Sequence, residues 1–231
     1  MSLDTSELIP ALRAHFFEWL PAQGWFDARR SELDDVTIVR TEALRRDWPI
    51  VLWVPIEVVI AGAPTLVHTF VALAPRVPEV VADRAVIGEV PTGGEPLMAY
   101  DALFDPEAAR GIVSRLSDGL TDAVPSRIAE RPWTTTIELT SPFDLVVYRR
   151  VQTGRHPDVE LAGAVAAAGL STTCPPAAVW RRGESDLVNV RRRSKPGDLG
   201  VAIAKASVRE LLRRRCQPRE NPLDVMDSFA L

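Results

Sequence analysis

Two β-branched runs separated by a short turn constrain the fold of this chain more than any other feature. Ile50 to Ile60 and Thr65 to Leu73 are rich in Val, Ile and Thr, and Ala61-Gly62-Ala63-Pro64 lies between them. Gly and Pro favour tight turns, so the pattern predicts an antiparallel hairpin. Pro55 lacks a backbone N–H, which predicts that the first strand lies at a sheet edge or carries a bulge there.

Helices are indicated at both sides of this hairpin. Apolar residues recur at three-to-four spacing from Ser6 to Leu20, which predicts an amphipathic helix. Asp105-Pro106-Glu107 combines an N-cap residue, a proline at the first helical position and an acidic first turn, and predicts a helix that ends at Gly119. Further predicted elements are strands at Val36–Arg40, near Val86, at Trp133–Leu139 and Leu145–Val151, a hairpin of Ala177–Arg181 with Asp186–Arg191, and helices at Asp158–Ala168 and Asp198–Arg215.

Composition excludes several classes of protein. A hydrophobic content of 46% and a net charge of -4 over 231 residues are typical of a folded globular protein. The two cysteines, Cys174 and Cys216, lack the spacing of a disulfide framework or zinc site, and three separated histidines do not predict a metal site. The N-terminus lacks secretory-signal features, and no apolar stretch reaches the length of a membrane span, so we expect a cytoplasmic protein with no membrane contact.

Three segments, in order, resemble maltokinases and the related glucosamine kinases. LPAQGWFDARRSELDDVTIV resembles the entry to the family's N-terminal cap, and HTFVAL followed by MAYDALFDPEAARGIV resembles its last strand and following helix. YRRVQTGRHPDVELAGAVAAAGL resembles the family pattern KLFRRLEPGxNPDLEVGRFLxxxGF of the small lobe. The resemblance implies an α+β fold: a cap at residues 1–100 with a helix packed on an antiparallel sheet, then a kinase small-lobe-like antiparallel sheet with helices at residues 101–231.

The resemblance also indicates where a nucleotide would be held. Kinases of this class hold the phosphates with a strand lysine that pairs with a glutamate on the next helix. Aligned on LVVYRR, Val146 takes the position of the lysine and Glu160 that of its partner, and Arg150 can replace the lysine only if the strand slips in register. In His156-Pro157-Asp158, we expect Asp158 to cap the helix rather than to act in catalysis. We therefore predict no catalytic residues, no cofactor and no metal, with Glu160 as a vestigial site residue.

These observations leave three hypotheses for function. The family's catalytic lobe has no counterpart after Arg215, so we expect a non-catalytic binding or regulatory protein, linked by resemblance to trehalose, maltose or α-glucan metabolism. The alternative is half of a split ATP-dependent sugar kinase completed by another chain. A third hypothesis is nucleic-acid binding by Arg181 to Arg219, which holds twelve Lys and Arg against four Asp and Glu, although pairing with the acidic cap explains this run equally well. We expect a protein partner or self-association through the C-terminal region, and a sugar or nucleotide is a candidate ligand.

Overall fold

The computed structural model describes residues 5–116, 124–167 and 176–193. They form two antiparallel sheets with three α-helices, so the predicted α+β class is confirmed. The first sheet contains β1 to β6 in the order β1-β3-β4-β6-β5, with β2 also paired to β3. Its strands are β1 Leu33–Ile38, β2 Glu42–Arg45, β3 Ile50–Ile60, β4 Ala63–Ala74, β5 Val86–Val90 and β6 Leu97–Asp101.

The predicted hairpin is the centre of this sheet. Eleven residue pairs run from Ile50↔Leu73 to Ile60↔Ala63, and the loop is only Ala61 and Gly62. Both loop residues have positive φ, 48° and 76°, which is the geometry of a two-residue turn whose twist matches that of the flanking strands. Gly62 supplies this conformation at no steric cost, so the turn is tighter than the four residues predicted.

The expectation that Pro55 marks an edge or bulge is wrong, because β3 lies inside the sheet. It pairs with β4 without a bulge on one side, and with β1 and then β2 on the other. Val39 N donates to Pro55 O at 3.0 Å, so this side of Pro55 faces the chain between β1 and β2. The proline is tolerated there because the neighbouring strand is interrupted opposite its missing N–H.

Helix α1, Thr5–Trp19, covers one face of the first sheet, and the predicted apolar stripe is confirmed. Leu8, Leu12, Phe16 and Trp19 are buried in one core with the even-numbered residues of β3 from Ile50 to Val58. The odd-numbered Val51 and Trp53 belong to a second core on the opposite face. Burial on both faces explains why β3 is a continuous apolar run rather than an alternating one.

The second sheet packs against that opposite face. Its strand order is β10-β11-β9-β8-β7. The core on this face contains residues of both sheets and of helix α2, Pro106–Ser114. Asp105 caps α2 as predicted, since its carboxylate accepts from Glu107 N at 2.9 Å. The strands are β7 Pro125–Arg131, β8 Thr134–Leu139, β9 Phe143–Tyr148, β10 Ala178–Arg182 and β11 Ser185–Arg192, and helix α3, Pro157–Ala167, precedes β10.

Most predicted elements are therefore present, and β2, β6 and β7 are additional strands that are absent from the predicted elements. The predicted boundary between residues 100 and 101 falls inside β6, and the division into domains stays a prediction. The predicted helix end at Gly119 is wrong, because α2 ends at Ser114 with Arg115 as its C-cap. The helix stop at Gly169, the helix Asp198–Arg215 and the tail from Gln217 lie outside the described residues.

Candidate functional site

Val146 lies in the middle of β9, at the position where the family resemblance expects a lysine. It pairs with Thr136 of β8 and with Asn189 of β11, and neither pairing contains a register shift. Its side chain is 3% exposed and packs in a small cluster with Tyr148 and with Val159 of α3. The strand therefore presents an isopropyl group, enclosed by other apolar atoms, to the face that α3 covers.

The loop before α3 is fixed to this cluster by His156. Its imidazole stacks on the Tyr148 ring with centroids 3.5 Å apart, and its backbone N donates to Asp186 at 2.9 Å. Burial lowers the pKa of His156 below its ordinary value, and burial also raises the pKa of Tyr148. Both groups are therefore held neutral, and neither supplies a cation for a phosphate.

The helix cap differs from the prediction. His156 Nδ1 accepts from Asp158 N at 3.3 Å and His156 O accepts from Glu160 N at 3.0 Å, so His156 is the capping residue. Asp158 lies inside the first turn of α3, where a negative charge is favoured by the helix dipole. The cap therefore lies two residues before the predicted one, because Pro157 is favoured as the first residue of a helix.

Glu160 and Arg150, the two predicted site residues, are placed on different elements. Glu160 is exposed in the first turn of α3 and takes part in no ion pair with another described residue. Arg150 follows β9, forms a single bridge to Val67 of β4, and stacks its guanidinium over Trp133 at 5.7 Å from the ring centroid. Because β9 keeps its register through Tyr148, the slip that would bring Arg150 to the lysine position is absent. Their roles as site residues stay predictions.

Arg149, which sequence reasoning did not select, is the most enclosed charged residue described. Its side chain is completely buried and pairs with the equally buried Asp101 at 2.5 Å. The guanidinium also donates to Thr135 Oγ1 at 3.0 Å and Thr69 Oγ1 at 2.8 Å, and it lies 4.7 Å from the Trp25 ring. Leu145 and Val147, four and two residues earlier, point into the shared core, so alternation was the signal that Arg149 is internal.

Backbone hydrogen bonds strengthen the same junction. Arg149 O accepts from His68 N of β4, and Val151 N donates to Leu66 O, each at 2.8 Å. Tyr148 O receives a further bond from His68 Nε2 at 2.8 Å. The end of β9 is thus attached to the middle of β4, which joins the second sheet to the first through both main-chain and side-chain contacts.

His68 is a structural residue of this junction. Trp53 Nε1 donates to His68 Nδ1 at 3.2 Å, so the neutral ring carries its proton on Nε2 and donates it to Tyr148 O. Complete burial, and then the nearby positive charge of Arg149, lower the pKa of His68 to about 3. Both ring nitrogens are used within the protein, so neither remains for a ligand.

The space between the two sheets is filled by side chains. Trp180 of β10 stacks on Phe70 with centroids 5.5 Å apart and packs at 5.7 Å against Trp53. Arg182 lies over both tryptophan rings and bonds to Glu42 of β2. In the described part of the chain, no open cleft separates the cap-like sheet from the second sheet at this position.

The first part of the basic run pairs with carboxylates of the protein itself. Arg181 bonds to Asp186, Arg182 to Glu42, and Arg193 to Asp144 at 2.9 Å. The interaction of Arg182 with the first sheet agrees with the alternative that this run neutralises acidic groups of the cap. Residues 194–219 of the run lie outside the described residues.

Within residues 5–116, 124–167 and 176–193, no group of three or more His, Cys, Asp or Glu is arranged to hold a metal ion. No helix in the same ranges has the length and apolar character to cross a membrane.

Residues 19–105 match the family model of the maltokinase N-terminal cap domain. The match begins at the last residue of α1 and ends at the N-cap of α2, so it includes all six strands of the first sheet. The resemblance inferred from the sequence is therefore confirmed for the cap: residues 19–105 are similar to the maltokinase N-terminal cap domain. The resemblance of the second sheet to a kinase small lobe lies outside the matched residues.

Proposed function

We propose, from the similarity of residues 19–105 to the maltokinase N-terminal cap domain, that this protein is a non-catalytic binding or regulatory module of maltokinase-related origin. In this proposal the second sheet descends from a kinase small lobe and no longer holds nucleotide phosphates. The family resemblance makes maltose, trehalose or α-glucan metabolism its physiological setting. The protein acts through surfaces of the joined cap and second sheet rather than through a phosphoryl-transfer site.

The enclosed position of Val146 carries the proposal. Phosphoryl transfer depends on positioned cations that neutralise the phosphate oxygens, because the enzyme's contribution is almost entirely electrostatic. Here the strand position offers an isopropyl group packed against Val159 and Tyr148. A phosphate at that place would lose its hydration without gaining a charged partner, which is strongly unfavourable.

The nearby arginines do not replace the missing lysine. Arg149 is on the internal side of the strand and is neutralised by Asp101. Arg150 lies beyond the strand end with its guanidinium over Trp133. Turning Arg149 to the α3 face would break its buried ion pair with Asp101. Bringing Arg150 to the position of Val146 would require a change in the register of β9.

Calorimetric titration of the full chain with Mg-ATP tests the proposal. We expect no saturable binding at about 1 mM nucleotide, an affinity limit that corresponds to about 4 kcal/mol of binding free energy. A Val146→Lys variant tests whether the strand position alone is responsible, and Val146→Met, of similar length without charge, is its matched control. Binding gained by the lysine variant and not by the methionine variant supports the assignment of position 146.

Saturable Mg-ATP binding by the wild-type protein that is weakened by Glu160→Gln would overturn it. The split-kinase alternative predicts a different result: phosphoryl transfer from ATP to a sugar in a mixture with a chain that carries a catalytic lobe, and none with either chain alone. Transfer in such a mixture would replace the non-catalytic proposal with the split enzyme.

A further inference from the structure

A groove between β2 and α2 has four arginines among its ten lining residues. It encloses about 740 Å³ and is bordered by Arg45, Arg46, Arg110 and Arg115, with Asp47 and Glu107 as its carboxylates. The volume is in the range of small-molecule sites in proteins. Four guanidinium groups against two carboxylates leave an excess of positive charge in one concave surface.

Arg45 is held in the groove by several contacts. Its guanidinium donates to Glu107 Oε1 at 2.7 Å and to Trp48 O at 2.5 Å. The stem of Arg45 packs beside Gly111 of α2, where a Cβ would meet Arg45 Cδ at a contact distance of 3.4 Å. The position of this cation is therefore set before any ligand arrives.

Helix α2 is itself anchored, which fixes the side of the groove that it forms. Asp105 accepts from Glu107 N at 2.9 Å and from the Tyr100 hydroxyl at 2.9 Å, and both Asp105 and Tyr100 are buried. On the opposite side of the groove, Arg115 Nε donates to Leu44 O at 3.2 Å, which attaches the end of the helix to β2. The two walls of the groove are thus tied together by arginine side chains.

Arg46, Arg110 and Arg115 are exposed and form no ion pair with any other described residue, but Arg115 is fixed by its hydrogen bond to Leu44 O whereas no side-chain hydrogen bond is described for Arg46 or Arg110. Like charges placed together around a concave surface repel one another unless an anion lies between them. Guanidinium groups match the oxygen geometry of phosphate with paired N–H donors, and arginine is the preferred residue for such recognition.

We propose that the β2–α2 groove binds a small phosphate-bearing molecule, with Arg46 and Arg110 holding the phosphate and Arg45 and Arg115 forming the positive floor. The site belongs to the cap and its following helix and uses no residue of β9 or α3. It is therefore independent of the nucleotide question at Val146, and either proposal can fail without the other.

Titration of the full chain with inorganic pyrophosphate, followed by calorimetry, tests this site. We expect saturable binding, and weakening of at least about tenfold in each of Arg46→Gln and Arg110→Gln, because a hydrogen bond to a charged group contributes about 1.5–3 kcal/mol. The matched control is Arg127→Gln, an exposed arginine of β7 whose nearest carboxylate, on Glu138, is 3.9 Å away. The control should bind as the wild type does, and all three variants should keep the wild-type melting temperature.

Three results would overturn the proposal: no saturable binding of pyrophosphate, equal weakening in Arg127→Gln, or equally tight binding of succinate, which would show a general anion surface. Substitutions also distinguish Mg-ATP binding in the groove from Mg-ATP binding at β9. Mg-ATP bound through the groove is lost in Arg110→Gln, whereas Mg-ATP bound at β9 is unaffected by that substitution and is weakened in Glu160→Gln.

Discussion

Replacing one partner of the buried Arg149–Asp101 pair should destabilise the protein more than any surface change. Both side chains are completely buried and 2.5 Å apart, and the guanidinium also bonds to two threonine hydroxyls. Asp101→Asn leaves that guanidinium in the core without a counter-charge, which costs about 3–5 kcal/mol in similar cases. Since domains are stable by only about 5–15 kcal/mol, this is a large part of the total.

The measurement is urea denaturation followed by the fluorescence of the six tryptophans, one of which, Trp25, contacts the guanidinium. The free energy of unfolding should fall by the stated amount in Asp101→Asn and in Arg149→Met. The double variant should lose less than the sum, because it no longer contains an unpaired buried charge. Asparagine can still accept the bond that Asp101 takes from Leu103 N at 3.1 Å, so that contact is the same in both backgrounds.

A surface ion pair of the second sheet provides the control. Arg127 and Glu138 are 3.9 Å apart and largely exposed, so Arg127→Met should change the unfolding free energy by less than about 1 kcal/mol. A loss below about 1 kcal/mol in Asp101→Asn, or simple additivity in the double variant, would refute the argument that this pair joins the two sheets.

Two further perturbations test the junction and the groove wall. His68 has a pKa of about 3 against an ordinary value of 6.5, so the unfolded chain binds its proton first, and stability should be full above pH 6.5 and fall by up to about 1.4 kcal/mol per unit as the pH drops towards 3. Urea denaturation between pH 7 and 4 should show a shallower dependence in His68→Gln, and an unchanged slope would contradict it. Asp105→Ala removes the α2 cap and the partner of the Tyr100 hydroxyl, so thermal denaturation should show a loss of about 1–2 kcal/mol, with Asp105→Asn less affected. Equal stability of Asp105→Ala and wild type would show that the cap does not hold the groove wall.

The contacts between the two sheets limit where a ligand can bind. The core of the first sheet is continuous with that of the second sheet, and β4 shares backbone bonds with the end of β9. Trp180, Phe70 and Trp53 pack together at the described contact between the two sheets. Ligand recognition is therefore expected on outer surfaces such as the β2–α2 groove.

Local patterns predicted the elements well where one short-range rule was sufficient. The Ala61-Gly62 turn, the Asp105 cap and the stripe of α1 each depend on residues within a few positions. Prediction failed at Pro55, where distant strands decided the outcome, and at the start of α3, where two local capping rules competed. Pro55 is accommodated inside the sheet because β1 ends and β2 begins opposite it, and His156 rather than Asp158 caps α3 because Pro157 begins that helix.

The sequence alone determined the α+β class and the resemblance to the cap. The alignment of Val146 with the family's lysine rests on the resemblance and stays a prediction. The sequence also placed Val146 and Arg149 on opposite faces of a strand. Only the tertiary structure decided what those faces meet. Arg149 finds Asp101 from 48 residues earlier, and arginines of β2 and α2 converge on one groove. The periodicity of a strand or helix predicts which face a side chain lies on. It does not predict which distant residue that side chain will pair with, because this depends on how the elements pack together.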